Sequence, residues 1–303
     1  MCCNRLRESR SGRTAGRFRR LCATALGIAG LGHGGLFAAI ISITDATSSF
    51  TAINPTYTLQ DPANDQQTGD KAADFVSTST TPGFYMKFGE IGGVDMVMFR
   101  FHFQDYRKQA TFNGSIRLGM DADSDGDIDL FFGSHEGGGQ NGSGISFQDP
   151  GTGLNVSPST TSLGGNYGTV ALVSSGANAN YGYTALTGVT GVGAQVTFAI
   201  SFQSIADALV AAGTAPGVTL TPESIVRFLA FTAQQTAANS INQDILGVNG
   251  GYNSTVRFDA PGGGFTDYID STGAPVPELG SFAYAAGFLF AGLGIRRRRR
   301  PAP

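Results

Sequence analysis

Cysteine is confined to the first 22 residues of this 303-residue chain, at Cys2, Cys3 and Cys22, and tryptophan is absent. Downstream of residue 22 there is thus neither a disulfide framework nor a thiolate metal site. Histidine is nearly as scarce: beyond the N-terminal apolar run only His102 and His135 occur. Charged residues make up 14% of the chain, and between Ala39 and Pro277 there are 8 basic against 21 acidic residues, a balance of −13. A body this acidic excludes nucleic acid as a partner, because phosphates demand clustered basic side chains. Divalent cations suit it better. What the chain has in abundance is glycine, 44 residues, with Ser, Thr and Asn recurring throughout, a mix of turn-rich β-proteins rather than helical bundles.

The missing basic residues are at the two ends. Seven arginines lie between Arg5 and Arg20, against one acid, Glu8, and an apolar, small-residue stretch follows over 21–43. A positive segment ahead of an apolar one is the order of a secretory signal peptide, assigned to 1–38 with cleavage near Ala38 or Ala39. Export by the general secretion machinery follows from this reading. Glycines at 27, 30, 32, 34 and 35 interrupt the run, which argues against a permanent span. Cys22 follows Arg19, Arg20 and Leu21 and reads as part of the signal, not as a lipid-anchor site.

At the other end, 275–303, Val276-Pro277-Glu278-Leu279 precedes an apolar stretch that reaches Ile295, and then Arg296, Arg297, Arg298, Arg299 and Arg300. Leu279 to Ile295 is 17 residues, at the lower edge of the roughly 17 to 25 that cross a bilayer as a helix. Five arginines would hold its end in the cytoplasm. This order resembles the PEP-CTERM sorting segment of exported proteins from exopolysaccharide-producing Gram-negative bacteria. Val276, Pro277 and Glu278 match the motif, and Leu279 stands where that family has a second proline. The resemblance implies a transient transmembrane sorting helix, recognition by an exosortase-type processing enzyme, and delivery to the cell envelope or extracellular matrix. It covers only the tail.

Between the ends, period-two apolar runs alternate with Gly, Asn, Asp and Pro, the pattern of strands and turns. Strands are predicted over Phe84–Phe88, Asp95–Phe103, Thr111–Met120, Ile128–Phe132, Thr169–Ser174, Val196–Phe202, Val226–Thr232 and Ser254–Phe258, with turns at Asn113-Gly114 and Asn249-Gly250. One helix is predicted over Ser204–Ala212, with Ile205, Ala208, Leu209 and Ala212 on one face. The expected fold is all-β, an antiparallel β-sandwich or jelly roll with one or two short helices. It fills 39–259 as one domain, with 137–168 as a surface loop or irregular edge and 260–274 as a glycine-rich linker.

The densest chemistry is Asp121, Asp123, Asp125, Asp127 and Asp129, turned by Gly126. Carboxylates on alternate residues of a loop can converge on calcium, which takes 6 to 8 oxygens at about 2.3 to 2.6 Å. Asp121, Asp123, Asp125, Gly126 and Asp129 match positions 1, 3, 5, 6 and 9 of an EF-hand loop, but Phe132 stands where its bidentate glutamate belongs. The run resembles instead the single Asp-rich calcium loops of FG-GAP-type and thrombospondin type 3 units, which implies a structural Ca2+. A solvated acidic turn accounts for the same residues.

Other candidates are sparser. His102 alternates with Phe99, Phe101 and Phe103 and is assigned to a polar strand face; His135-Glu136 reads as an exposed loop pair. Ser143 lacks the spacing of a nucleophile elbow. Gly30, Gly32 and Gly34 resemble a nucleotide loop only superficially, with no βαβ unit around them. The body's glutamates, Glu90, Glu136 and Glu223, sit in no catalytic motif. Asn239 to Gly251 is rich in amides that could hydrogen-bond sugar hydroxyls, or simply turn the chain. The sequence thus points to a non-enzymatic, calcium-stabilised envelope or matrix protein. A lectin-like module binding extracellular polysaccharide is the alternative, and a polysaccharide hydrolase with two facing acids is a further one.

Overall fold

The computed structural model describes residues 39–53, 61–66, 71–78, 80–106, 114–135, 143–151, 154–155, 165–233, 244–248, 256–257, 264–270 and 273–276. Residues 1–38 and 277–303, which include the signal segment, Pro277, Glu278 and Arg296 to Arg300, lie outside them, as do Asn113, Asn249-Gly250 and Glu136. Among the described residues no helix is long and apolar enough to cross a membrane.

The described chain is mostly β, with a single α-helix. In order, the strands are β1 (Thr51–Ile53), β2 (Phe84–Ile91), β3 (Val94–Phe103), β4 (Ser115–Asp121), β5 (Leu130–His135), β6 (Gly144–Gln148) and β7 (Leu154–Asn155). They continue as β8 (Asn166–Val170), β9 (Tyr181–Ala185), β10 (Ala194–Ser201), α1 (Phe202–Ala212), β11 (Arg227–Ala233), β12 (Asp244–Ile245) and β13 (Val256–Arg257). One sheet runs β1-β2-β3-β10-β9 and the other β12-β11-β4-β5-β6-β8, with β13 and β7 forming a separate pair. Every one of these strand pairs is antiparallel.

The two large sheets face each other across aromatic side chains. Phe99 of β3 lies 5.7 Å from Phe132 of β5 and 5.6 Å from Phe228 of β11, ring centre to ring centre. Period-two alternation places Val97, Phe99, Phe101 and Phe103 on the inner face of one sheet and Ile116, Leu118 and Met120 on that of the other, all buried. Removing a ring such as Phe99 leaves a void between the sheets, a loss of about 3 to 5 kcal/mol.

Two local signals fix the corners. Gly92 and Gly93 form the two-residue turn of the β2–β3 hairpin, with Ile91 paired to Val94; their φ values of 61° and 80° suit a type I′ turn that side chains disfavour. Ser201 caps α1 by accepting from the Ser204 N–H at 3.1 Å, and Gly213 ends it in the left-handed conformation at φ 68°.

The outer faces differ from expectation. Residues 41–50 lie over the first sheet, where Ile41 and Phe50 pack with Tyr85, Met98 and Ala199. His102, expected on a polar face, is on the side opposite Phe101, but that side is covered, and the ring is buried 5.1 Å from Tyr85. Likewise His135 ends β5 buried instead of in an exposed loop. Within the stretch read as a surface loop or irregular edge, Gly144–Gln148 is a fully buried strand pairing with β5 and β8. In the stretch read as a linker, Phe265 and Ile269 are buried and bridge to Leu229 and Val226 of the β11 region.

Candidate functional site

The five aspartates predicted to gather a cation occupy the connection between β4 and β5. Backbone N–H groups shape it. Asp121 Oδ1 accepts from Ser124 at 2.7 Å and Oδ2 from Gly126 at 3.1 Å; Asp129 Oδ2 accepts from Ala122 at 2.7 Å. Ser124 and Gly126 take left-handed φ values of 68° and 103°, which curl the loop back on itself, and Asp129 N–H bonds Met120 carbonyl at 2.7 Å to close the hairpin.

This geometry brings together one carboxylate oxygen each from Asp121, Asp123 and Asp129, all within 4.8 Å of one another. Asp125 and Asp127 stand outside that group. Asp125 instead accepts from the Asp127 N–H at 2.8 Å, and its own N–H bonds Asp123 Oδ1 at 3.2 Å. Phe132 is fully buried in the core, so its position contributes no ligand.

The loop's electrostatics divide sharply. Asp121 is buried against Arg227, whose Nη2 and Nε both lie 2.7 Å from Oδ2. The guanidinium is itself stacked 4.6 Å from the centre of the Phe265 ring and 5.0 Å from that of Tyr268, a cation–π arrangement that fixes it in place. Asp129 is pushed up to about 6, first by burial and then by the charges of Asp123, Asp121 and Asp125, against the Ala122 N–H. Asp123, exposed, is raised in the same direction.

A second acidic group, not visible in the sequence, assembles from two separated segments, 61–66 and 244–248. Asp61, Asp65 and Asp244 each place one carboxylate oxygen within 4.8 Å of the others. Asp61 and Asp244 are 1% and 0% exposed. Asp61 Oδ1 accepts from Gly247 N–H at 3.1 Å, and Asp244 Oδ2 from Phe75 N–H at 2.6 Å. Beside them Asp74 accepts from Asn64 at 2.7 Å and Gln66 at 3.3 Å. Burial holds both Asp61 and Asp244 well above the usual carboxylate range; the next cause is Asp244 for Asp61, and Asp65 for Asp244. Asp244 belongs to the amide-rich stretch read as a sugar-binding or turn loop, and the fold turns its carboxylate inward.

Of the glutamates, Glu90 pairs with Asp95 in the β2–β3 hairpin and Glu223 is exposed before β11. His102 is held near 4 by burial and by Arg100 beside it, and His135 near 4 by burial and Arg117. Arg100 is itself buried, donating to Thr197 Oγ1 and Thr47 Oγ1 at 2.9 Å and to Ile43 carbonyl at 3.0 Å. Compared with protein-family models, curated proteins and solved structures, the chain matches none.

Proposed function

We propose that this chain is a non-enzymatic component of the bacterial cell envelope or extracellular matrix, exported through an N-terminal signal and released or anchored by exosortase-type processing at its tail. The observation that carries the reading is the order of the last 29 residues: Val276-Pro277-Glu278, an apolar stretch, then Arg296 to Arg300. A sandwich-like β-body of acidic composition suits a matrix component, and the convergence of Asp121, Asp123 and Asp129 oxygens on a hairpin of its larger sheet supports reading that loop as the place of a structural calcium.

Fractionation of cells that carry an exosortase, with intact mass of the exported protein, tests the reading. Native protein is expected outside without its arginine cluster; Glu278→Ala is expected to stay membrane-bound and uncut. Replacement of Arg296 to Arg300 by glutamine is expected to release unprocessed chain, because the arginines cost roughly 2.5 to 3.5 kcal/mol each at the bilayer centre and thereby stop translocation. Normal cutting of the arginine-free chain would overturn it. For the loop, a ligand at 100 times its dissociation constant adds about 2.7 kcal/mol to the folded state, so calcium should raise the melting temperature less in Asp123→Ala.

A further inference from the structure

We infer that Asp61, Asp65 and Asp244 form a second, buried calcium site, which clips the 61–77 segment to the β12 edge of the larger sheet. The convergence of one oxygen from each within 4.8 Å matches ligands on one calcium, whose opposed oxygens lie about 5 Å apart. What points to a ligand is the state of the remaining oxygens. Asp61 Oδ2 and Asp244 Oδ1 are fully buried and have no hydrogen-bond partner among the described residues. A buried polar atom without a partner carries the full cost of leaving water. Neither Asp61 nor Asp244 takes part in the Lys87–Asp45 or the Arg227–Asp121 ion pair.

The two acidic groups contrast in this respect. In the β4–β5 hairpin, N–H groups and Arg227 occupy the Asp121 oxygens and Ala122 occupies one of Asp129. At Asp61 the Gly247 N–H serves Oδ1 and at Asp244 the Phe75 N–H serves Oδ2, while Asp61 Oδ2 and Asp244 Oδ1 face a ligand's place. An all-carboxylate donor set selects a hard divalent ion, and a site this dry favours calcium over magnesium, which gives up its waters reluctantly. The surroundings are already pinned as a clip requires: the Asp61 N–H donates to Ser77 Oγ at 2.7 Å and Thr232 Oγ1 to Ala73 carbonyl at 2.8 Å.

The experiment is calcium binding by equilibrium dialysis on the full chain, stripped with chelator, beside thermal melting with and without calcium. Asp123→Asn, in the exposed hairpin, is expected to keep about one bound calcium per chain and a calcium-dependent rise in melting temperature. Asp244→Asn, which retains an oxygen for the Phe75 N–H, is expected to lose about one calcium relative to the native chain, and Asp61→Asn likewise. If the Asp123→Asn chain binds no calcium, the proposal is overturned even where the buried variants do not fold. A melting curve for Asp123→Asn indifferent to calcium, as a proton shared among the carboxyls would give, overturns it too. So does an equal response to magnesium at the same concentration. Failure of the hairpin position alone would appear differently, as one calcium on the native chain that Asp123→Asn retains.

Discussion

Arg227 Nη2 and Asp121 Oδ2 meet at 2.7 Å, with the carboxylate fully buried and the guanidinium one-fifth exposed. The pair joins β11 to the last residue of β4, where the two are in register, at the mouth of the acidic hairpin. It sets the loop's charge: one of the three converging aspartates is already neutralised from within the fold.

Arg227→Met should therefore leave Asp121 buried beside two other carboxylates with no cation. Breaking a buried pair by removing one partner costs about 3 to 5 kcal/mol, and partial exposure of Arg227 places this case at about 3. Urea denaturation in chelator measures it. On the proposed calcium reading, added calcium should recover part of the loss, since Asp121 Oδ2 then keeps only the Gly126 N–H and can face the ion. An unchanged midpoint in chelator would mean that the pair contributes nothing.

The two buried histidines should each disfavour the fold in acid. His102 and His135 are depressed to about 4 in the folded chain and return to about 6.5 on unfolding. Between those values each of these rings binds more protons in the unfolded chain, so the histidines' contribution to stability rises with pH from about 4 to about 6.5 and is lost as pH falls through that window, while the raised Asp129 contributes with the opposite sign. The ceiling is about 3 kcal/mol for each ring. His102→Gln should flatten its share of the slope, read as the difference between variant and native chains across pH 4 to 7. A slope identical in both would place the dependence elsewhere.

Two glycines should respond in opposite ways to a side chain. A Cβ on Gly133 would collide with the Ile116 carbonyl and crowd Arg117 Cα at 2.8 Å, both backbone atoms of the neighbouring strand. Gly133→Ala is expected to cost at least about 1 to 3 kcal/mol, since backbone cannot swing aside. At Gly93 an added Cβ meets nothing within 4 Å, and its φ of 80° is one that Asn tolerates in a hairpin turn. Gly93→Asn should be near neutral. Melting temperatures of the two variants give the comparison directly.

Long alternating runs such as Asp95–Phe103 were readable because one face is uniformly apolar, and β3 extends over that stretch. The α1 face was readable from Ile205, Ala208 and Leu209 for the same reason. Gly144–Gln148 escaped because its alternation, Ile145 and Phe147, lasts five residues inside a glycine-rich stretch. Alternation also misjudged the second face. His102 looked solvated by period, whereas its face is covered by a layer contributed by a distant segment, in which Phe50 stacks 4.0 Å from Arg100. The acidic hairpin was legible because its ligand atoms are neighbours in sequence. Asp61 and Asp244 are not: only the pairing of β12 with β11 and the return of 61–77 bring them together, and no spacing rule encodes that.

The strand order has a consequence for how the chain is made. The β2–β3 hairpin can close as soon as Phe103 has emerged, yet the other neighbour of β3 is β10, which starts at Ala194. Pairings this distant in sequence make folding slow, in the range of milliseconds to seconds, and a nascent strand edge left open meanwhile is a template for association with other chains. Met96 to Phe103, with its phenylalanines at alternate positions, is therefore the segment a chaperone has most reason to shield until Ala194 to Ser201 is there to cover it.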